Sequence, residues 1–449
     1  MPPKSPFDLK VEHESLSRLH PHAHNARTHS KRQIDQIAKS IVRFGFNNPI
    51  LVDDDFTILA GHGRAEAARS LGIEAVPIVR LSHLSAAEKR AYVIADNRLA
   101  EKSGWDKEIL AIELQNLIEL EFETEAIGFE TAEVDLIIGA ASEADPNGPN
   151  GQEDAPPPAP QTPTCQLGDI WVLGRHRLIC GNARAEQTYT RLLGADMADL
   201  LFTDPPYNVA INGHVSGKGK IKHSEFSEAS GDLNSKDFEA FLTEALTASS
   251  ARLKSGAIAF VFMDWRHMGE VLQAGAAAFD SLQNLCVWAK TNAGMGSLYR
   301  SQHELVFVFK KDSAPHTNNI ELGRHGRNRS NVWTYSGCNG FGVERAQALS
   351  LHPTVKPVAL IEDAIKDTTK RGAIVLDGFG GSGSTLIAAE KCGRTSRLIE
   401  TSPAYCDVIL NRFEAFTGRE AVLQGDGRPF SLIGSERSLA SPAPAKGGA

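Results

Sequence analysis

Cysteine is sparse in this chain: six residues, at positions 165, 180, 286, 338, 392 and 406, with no CxxC pair among them. Such scatter suggests neither a disulfide framework nor a zinc knuckle, so no metal site is expected. Long apolar runs are missing as well. No stretch approaches the roughly 18 consecutive apolar residues of a membrane span, and Met1 to Lys10 lacks the apolar core of a secretory signal. The expectation is a cytoplasmic protein without membrane attachment. An excess of positive charge is also absent, since 47 basic residues face 55 acidic ones and the net charge is −8. At first sight that argues against a nucleic-acid partner. The distribution says otherwise: residues 101–135 hold eleven acids against Lys102 and Lys107, a net of −9, so the rest of the chain sums to +1. Within that remainder, residues 214–223 carry three lysines, and residues 310–329 carry two lysines and three arginines against Asp312 and Glu321. Basic loops on a near-neutral body are compatible with phosphate contact, although charge runs are more often solvated surface.

What is present is length and punctuation. The chain has 449 residues, 41% of them hydrophobic, enough for two or three domains with sizeable cores. Ala141 to Thr164 crowds Pro, Gly and acids together and cannot form a core, so it reads as a linker. Residues 431–449 read as a flexible tail. Two bodies remain, residues 1–140 and 165–430, and no repeat of fixed period appears.

In the first body Asn48 to Asp53 and Thr57 to Ala60 read as short strands. Gly61 to Leu71 then turns into a helix that stops at Gly72 before another strand, Ala75 to Val79. Gly61 and Gly63 sit where missing side chains let a ligand approach the backbone and where helix N–H groups can take an anion, with Arg64 beside them. A Gly-x-Gly before a helix is by itself more often a tight turn. His20, His22 and His24 would share one face of a strand, as a metal site requires. With no nearby Cys, Asp or Glu and with Pro21 adjacent, the reading preferred is loop and strand-start histidines, His29 included.

Pro21, Asn25, Arg27, Asn48-Pro49-Ile50, the Gly61-His62-Gly63-Arg64 box, Ala67-Ala68, Leu71-Gly72 and Val76-Pro77 together resemble the ParB N-terminal (ParB/sulfiredoxin-like) fold over about residues 10–100. Ser85 to Glu101 continues as a helical segment. In that family the box binds nucleotide phosphates, CTP in partition proteins and ATP in sulfiredoxins. The resemblance therefore implies CTP or another nucleotide at Gly61, Gly63 and Arg64. His62 stands where sulfiredoxins place cysteine, which disfavours reductase chemistry. A module that docks DNA or a partner is the alternative.

Four segments of the second body make one site. Ala198 to Asn208 runs as an apolar strand into Asp204-Pro205-Pro206-Tyr207. The prolines remove backbone donors and stiffen the turn, leaving the Pro205 carbonyl as an acceptor and Tyr207 with a fixed ring direction. Two acceptors and an aromatic face suit the exocyclic amine of a flat base. Gly372 to Glu390 is a β-branched run ending in Asp377, then a glycine-rich turn into an apolar helix, as in the first βα unit of a Rossmann-like domain. Gly378, Gly380 and Gly383 literally satisfy GxGxxG, so NAD has to be weighed. Ser384 stands where a P-loop needs lysine. Asp377 is an acid where a diphosphate would sit, which a cationic or zwitterionic cofactor tolerates better. Ser396 to Glu400 is a second strand ending in an acid placed to bond ribose hydroxyls. His352 to Pro357 (HPTVKP) precedes a further helix.

Taken together, D-P-P-Y, H-P-T-x-K-P, D-x-F-x-G-S-G and the strand-end Glu resemble the amino-methylating (N6-adenine or N4-cytosine) DNA methyltransferases over about residues 165–425. D-P-P-Y before the glycine motif is the permuted order of the family's β group. The resemblance implies an α/β fold: a Rossmann-like S-adenosylmethionine-dependent methyltransferase domain, mostly parallel in its sheet, preceded by the small α+β ParB-like domain. It implies Asp204, Pro205, Pro206 and Tyr207 as catalytic. It places S-adenosyl-L-methionine on Asp377, Gly378, Phe379, Gly380, Gly381, Ser382, Gly383 and Glu400, with Asn182, Thr354 and Lys356. The family often has Gly-Asp where this chain has Gly181-Asn182. Ala257 to Asp264 resembles the strand after the catalytic loop, and Lys290-Thr291-Asn292, Tyr299-Arg300 and His303-Glu304 the target-base pocket. Target recognition falls at about residues 311–351, where Arg324, Arg327 and Arg329 join Lys290, Tyr299 and Arg300 as candidates for contact with double-stranded DNA.

The implied reaction is direct displacement on a base flipped from the duplex, stacked on Tyr207 and bonded through its amine to Asp204 and the Pro205 carbonyl. The chain has no Pro-Cys dipeptide, the nucleophile context of C5-cytosine enzymes. D-P-P-Y favours adenine N6, with N4-cytosine open. The loop Ile211 to Lys236 is long enough to close over DNA. A ParB-like regulator with a degenerate methyltransferase half and an NAD oxidoreductase are the competing readings. The first is opposed by intact Asp204, Tyr207, Asp377 and Glu400, the second by the lack of a hydride-transfer site. A homodimer, and a restriction or phage partner, are left open.

Overall fold

Short apolar runs bounded by turn residues become strands in the first unit, Met1–Pro146. The structure, a computed structural model, describes residues 9–120, 122–143, 154, 156–208, 231, 233–291, 298–321, 329–336 and 355–440. The elements are β1 (Val11–Ser15), β2 (His20–Pro21), α1 (Lys31–Phe44), β3 (Ile50–Val52), β4 (Thr57–Ala60), α2 (His62–Ser70) and β5 (Ala75–Arg80). Their sheet has the order β1-β5-β3-β4-β2. Ile50, Val52, Ile58, Val76 and Ile78 bury against Ala65 and Ala68 of α2, whose alanines let the helix lie close to the sheet. Three helices follow: α3 (Ala86–Glu101), α4 (Lys107–Glu119) and α5 (Thr131–Glu143). Ser85 and Glu88 close a reciprocal capping box on α3 and Asp106 caps α4, so each helix starts where its sequence supplies an oxygen for the first free N–H groups.

The second unit, Asn147–Ala449, is a three-layer α/β body. Its strands are β6 (Ile170–Leu173), β7 (His176–Cys180), β8 (Ala198–Thr203), β9 (Leu253–Met263), β10 (Ser281–Lys290), β11 (His303–Lys310), β12 (Val332–Tyr335), β13 (Ile374–Asp377), β14 (Thr395–Glu400) and β15 (Val422–Leu423). Among the described residues they form one sheet in the order β12-β10-β11-β9-β8-β13-β14-β7-β6-β15. The central run from β9 to β7 is parallel throughout. Antiparallel pairs flank it on both sides. On one face lie α6 (Glu186–Leu193), α7 (Ser235–Ser250) and α8 (Met268–Ala278). On the other lie α9 (Val358–Thr368), α10 (Ser384–Lys391), α11 (Pro403–Thr417) and α12 (Phe430–Ala440). Both faces being covered, β8 and β13 carry consecutive apolar residues, Leu200 to Phe202 and Ile374 to Leu376. No described helix is long and apolar enough to cross a membrane.

One glycine shows how tightly the layers press. A Cβ on Gly275 of α8 would fall 2.1 Å from the Phe309 ring, itself stacked on Phe279 at 5.3 Å. Gly275→Ala gains helix propensity worth about 1 kcal/mol but forces the ring or the helix to move, which costs about 1–3 kcal/mol. The expected outcome is a lower denaturant midpoint for the full chain. A higher midpoint would show that α8 can back away from the ring freely.

Candidate active site

Parallel pairing brings three carboxylates to one edge of the sheet. β13 pairs with β8 on one side and β14 on the other, so Asp204 just past β8, Asp377 at the end of β13 and Glu400 at the end of β14 all emerge at carboxyl ends of adjacent strands. That edge is where open parallel sheets bind ligands. Segments nearly two hundred residues apart in sequence thereby share one crevice.

Asp377 accepts from the Phe379 N–H at 3.0 Å and the Thr385 hydroxyl at 2.7 Å, with the Thr203 hydroxyl at 3.3 Å. Glu400 accepts from the N–H groups of Gly381 and Ser402, each at 2.8 Å. Neither carboxylate has an ion-pair partner among the described residues. Burial pushes both up to about 7, against the hydrogen bonds that pull them down. Two buried acids without a cation make a poor seat for a diphosphate. They fit a ligand that brings positive charge and vicinal hydroxyls, so the donor set agrees with S-adenosylmethionine.

The glycines between them mainly shape the turn. Gly383 has φ 84° as the N-cap of α10, and a Cβ there would press on Ile409 of α11 at 3.2 Å. Gly380 donates to the Ile399 carbonyl, where a Cβ would lie 3.3 Å away. From below, Arg412 of α11 donates to the Ser382 carbonyl at 2.9 Å and to the Ser384 hydroxyl at 3.2 Å. Sequence reasoning missed this arginine, since an Arg within an apolar helix carries no motif. Ser382 is buried, while Phe379 is partly buried with its ring 6.0 Å from that of Phe241. Gly378 and Gly381 complete the turn, Gly381 with φ 52°. Asn182 follows β7, and its side-chain oxygen accepts from the Arg184 N–H at 2.8 Å.

At the Asp204-Pro205-Pro206-Tyr207 turn the geometry is more crowded than the sequence suggests. Pro205 is buried, Pro206 and Tyr207 partly so. Lys356 Nζ donates to Asp204 Oδ2 at 2.5 Å and lies 3.2 Å from Glu304. It also sits 5.3 Å over the Tyr207 ring. The Tyr207 hydroxyl lies 2.8 Å from Asp204 Oδ1 and 2.8 Å from Glu304 Oε2. Lys290 completes the group, donating to Glu304 Oε1 at 2.5 Å. Burial, then the nearby Glu304, raises the Asp204 carboxyl despite Lys356. Lys356 is raised by its two carboxylates, which overcome its burial.

Several expected positions fall elsewhere. Lys356, expected at the cofactor, makes its ion pairs at Asp204 and Glu304, because the start of α9 lies over β8. Arg329, assigned to DNA, is turned inward: it bonds Asp367 at 3.0 Å, Asp363 at 3.1 Å and the Tyr335 hydroxyl at 2.7 Å. Its charge braces β12 against α9. Lys290 faces Glu304, whereas Tyr299 is exposed, as is Arg300. Thr354, Arg324, Arg327 and most of the loop at 211–236 lie outside the described residues. In the first unit Gly61 caps α2 with φ 99°, and Arg64 folds back to donate to the Pro49 carbonyl at 3.2 Å. A Cβ on Gly61 would lie 2.8 Å from that guanidinium. Gly63 is buried beneath His29 and Ile37. Burial, then the neighbouring His22 and His29, lowers His62 to about 4. No metal-holding group of three such side chains occurs among the described residues.

Three family profiles match the chain. A DNA methylase family profile (N6/N4) matches residues 198–411, a ParB N-terminal domain profile residues 8–98, and a ParB-methyltransferase HTH domain profile residues 108–167. The last takes in α4 from its second residue, α5 and the whole of the stretch, residues 141–164, that composition reads as linker. A relative in Escherichia coli (strain K12), the ParB-like nuclease domain-containing protein YnaK, is 46% identical over 82 residues, 18% of this chain and 94% of its own. Type II methyltransferase M.HpaI of Haemophilus parainfluenzae is 26% identical over 261 residues, 55% of this chain and 77% of its own. The solved structure of an M1.HpyAVI-SAM complex is similar with a TM-score of 0.37 at 18% identity, over 53% of this chain and 98% of that one.

Proposed function

We propose, for a chain that belongs to the N6/N4 DNA methylase family and carries a ParB N-terminal domain and a ParB-methyltransferase HTH domain ahead of it, that it methylates adenine N6 at a specific site of double-stranded DNA in the cytoplasm. S-adenosyl-L-methionine, the family's cofactor, supplies when bound an electrophilic methyl group on a sulfonium. Asp377 and Glu400 would hold it, Glu400 at the ribose hydroxyls and Asp377 at the glycine turn.

The observation that carries the reading is the Asp204-Pro205-Pro206-Tyr207 turn one strand away from that carboxylate pair. A base turned out of the duplex stacks on Tyr207. Its amine donates to Asp204 and the Pro205 carbonyl, which draws the nitrogen lone pair outward. The nitrogen then gives up one proton, and Asp204 is the acceptor in reach. Positioning and this electrostatic sharpening account for the rate, with no covalent enzyme species. The aspartate at the head of the turn favours adenine over cytosine.

The test is transfer of labelled methyl from S-adenosylmethionine to unmethylated DNA, then digestion to nucleosides and mass identification. N6-methyladenine is expected. N4-methylcytosine would keep the chemistry and change the base, and no transfer to any DNA would overturn the reading.

A further inference from the structure

We infer that Glu304 is a positioning residue for the proposed methyl transfer: it fixes the Tyr207 hydroxyl and anchors Lys356, so that the stacking ring and the Asp204 carboxylate are set before a base arrives. The inference rests on the reading above and gives a role to one side chain of the pocket segment, outside the Asp204-Pro205-Pro206-Tyr207 turn.

A hydroxyl has a single proton, yet Tyr207 stands 2.8 Å from a carboxylate oxygen on each side. Both contacts are hydrogen bonds only when one of the two carboxyls is itself protonated. The surroundings decide which. Glu304 is close to fully buried, with 12% of its side chain exposed, and burial alone would raise it. Lys356 and then Lys290 outweigh that and draw it down to about 2. Among the described residues Asp204 shares Lys356 but has no second lysine, and it feels the charge of Glu304. Glu304 is therefore the ionised partner. Tyr207 donates to it, and the phenolic oxygen is left to receive the proton of Asp204. Loss of that proton frees Asp204 Oδ1 for the base amine without any movement of the ring.

The groups facing this pair are Lys356 from the start of α9, Lys290 from β10, Tyr207 from the turn after β8 and Asp377 from β13. With Asp204 protonated, Glu304 is the charged carboxylate between the two lysines, so removing its negative charge has a defined consequence. In Glu304→Gln, Lys356 leans wholly on Asp204, and the charge that raised Asp204 is gone. The acid limb of kcat/KM then moves to lower pH, while kcat at the optimum falls about tenfold to a hundredfold as Tyr207 loses its anchor.

The experiment compares pH profiles of methyl transfer for the full-length wild type, Glu304→Gln and Glu304→Asp, with S-adenosylmethionine affinity and thermal unfolding as checks on folding. Expected are the lowered kcat, a downward shift of the acid limb, and return toward the wild-type limb in Glu304→Asp, which keeps the charge. An unmoved limb in Glu304→Gln, whatever its kcat, overturns the positioning role, because a merely structural residue would change amount and not titration. A wild type inactive on every DNA overturns the functional reading, and this inference with it.

Discussion

Asp204→Ala is expected to lower the rate of methyl transfer by about a thousandfold, the order of effect for removing both a charge-stabilising contact and the proton acceptor of a reaction. Affinity for S-adenosylmethionine should change little, since Asp377 and Glu400 keep their own hydrogen bonds to the loop after β13. The reason to expect a loss this large is the position of the carboxylate: it is the group in the turn whose oxygens lie between the tyrosine and the buried lysine. Lys356 keeps Glu304 as a partner in the variant, so the buried cation is not stranded and the fold should persist. Asp204→Asn retains one acceptor oxygen and should fall between wild type and alanine. The measurement is single-turnover methyl transfer alongside calorimetric cofactor binding. Activity of the alanine variant within tenfold of wild type would remove Asp204 from the mechanism.

Cofactor affinity should rise with pH through neutrality, by about tenfold between pH 6 and pH 8 for each carboxylate that must be ionised. Asp377 and Glu400 are both pushed up to about 7, chiefly by burial. The stability of the protein without ligand runs the opposite way. A carboxyl whose folded value exceeds its unfolded one favours the folded state at low pH, and that contribution is lost as pH climbs from about 4 to about 7. Thermal unfolding followed at a series of pH values, with and without S-adenosylmethionine, reads both trends at once. The ligand-free midpoint falls over that window while the ligand-induced rise grows. A ligand-induced rise independent of pH would mean that neither acid meets the cofactor in its charged form.

The local elements of this fold were legible because their causes are local. The apolar run before Asp204, the glycine-bounded helix at 62–70 and the capped helix after Ser85 depend on neighbours within four residues, and each stands close to where the sequence places it. The HTH domain was hidden by composition: residues 101–135, so rich in acids, read as no more than an acidic helical extension of the first body. Yet Glu125 and Glu130 face Lys39 and Arg32 of α1, pairings that a linear charge count cannot see.

For the site, the sequence by itself determined which chemical groups were available and which strand ends carried them: Asp204 to Tyr207, Asp377 with its glycine turn, and Glu400. Those assignments follow from side-chain type and short spacing. Only the tertiary structure decided how the charges pair. Lys356 and Asp204 are separated by 152 positions, and Glu304 by about a hundred from Tyr207, so nothing in their local sequence could show that these side chains meet. Arg329 makes the same point in reverse, a basic residue in a basic stretch that the fold spends on Asp363 and Asp367. Ion pairs form by proximity in space, and strand order in the sheet, which brings β8, β13 and β14 side by side, is what sets that proximity.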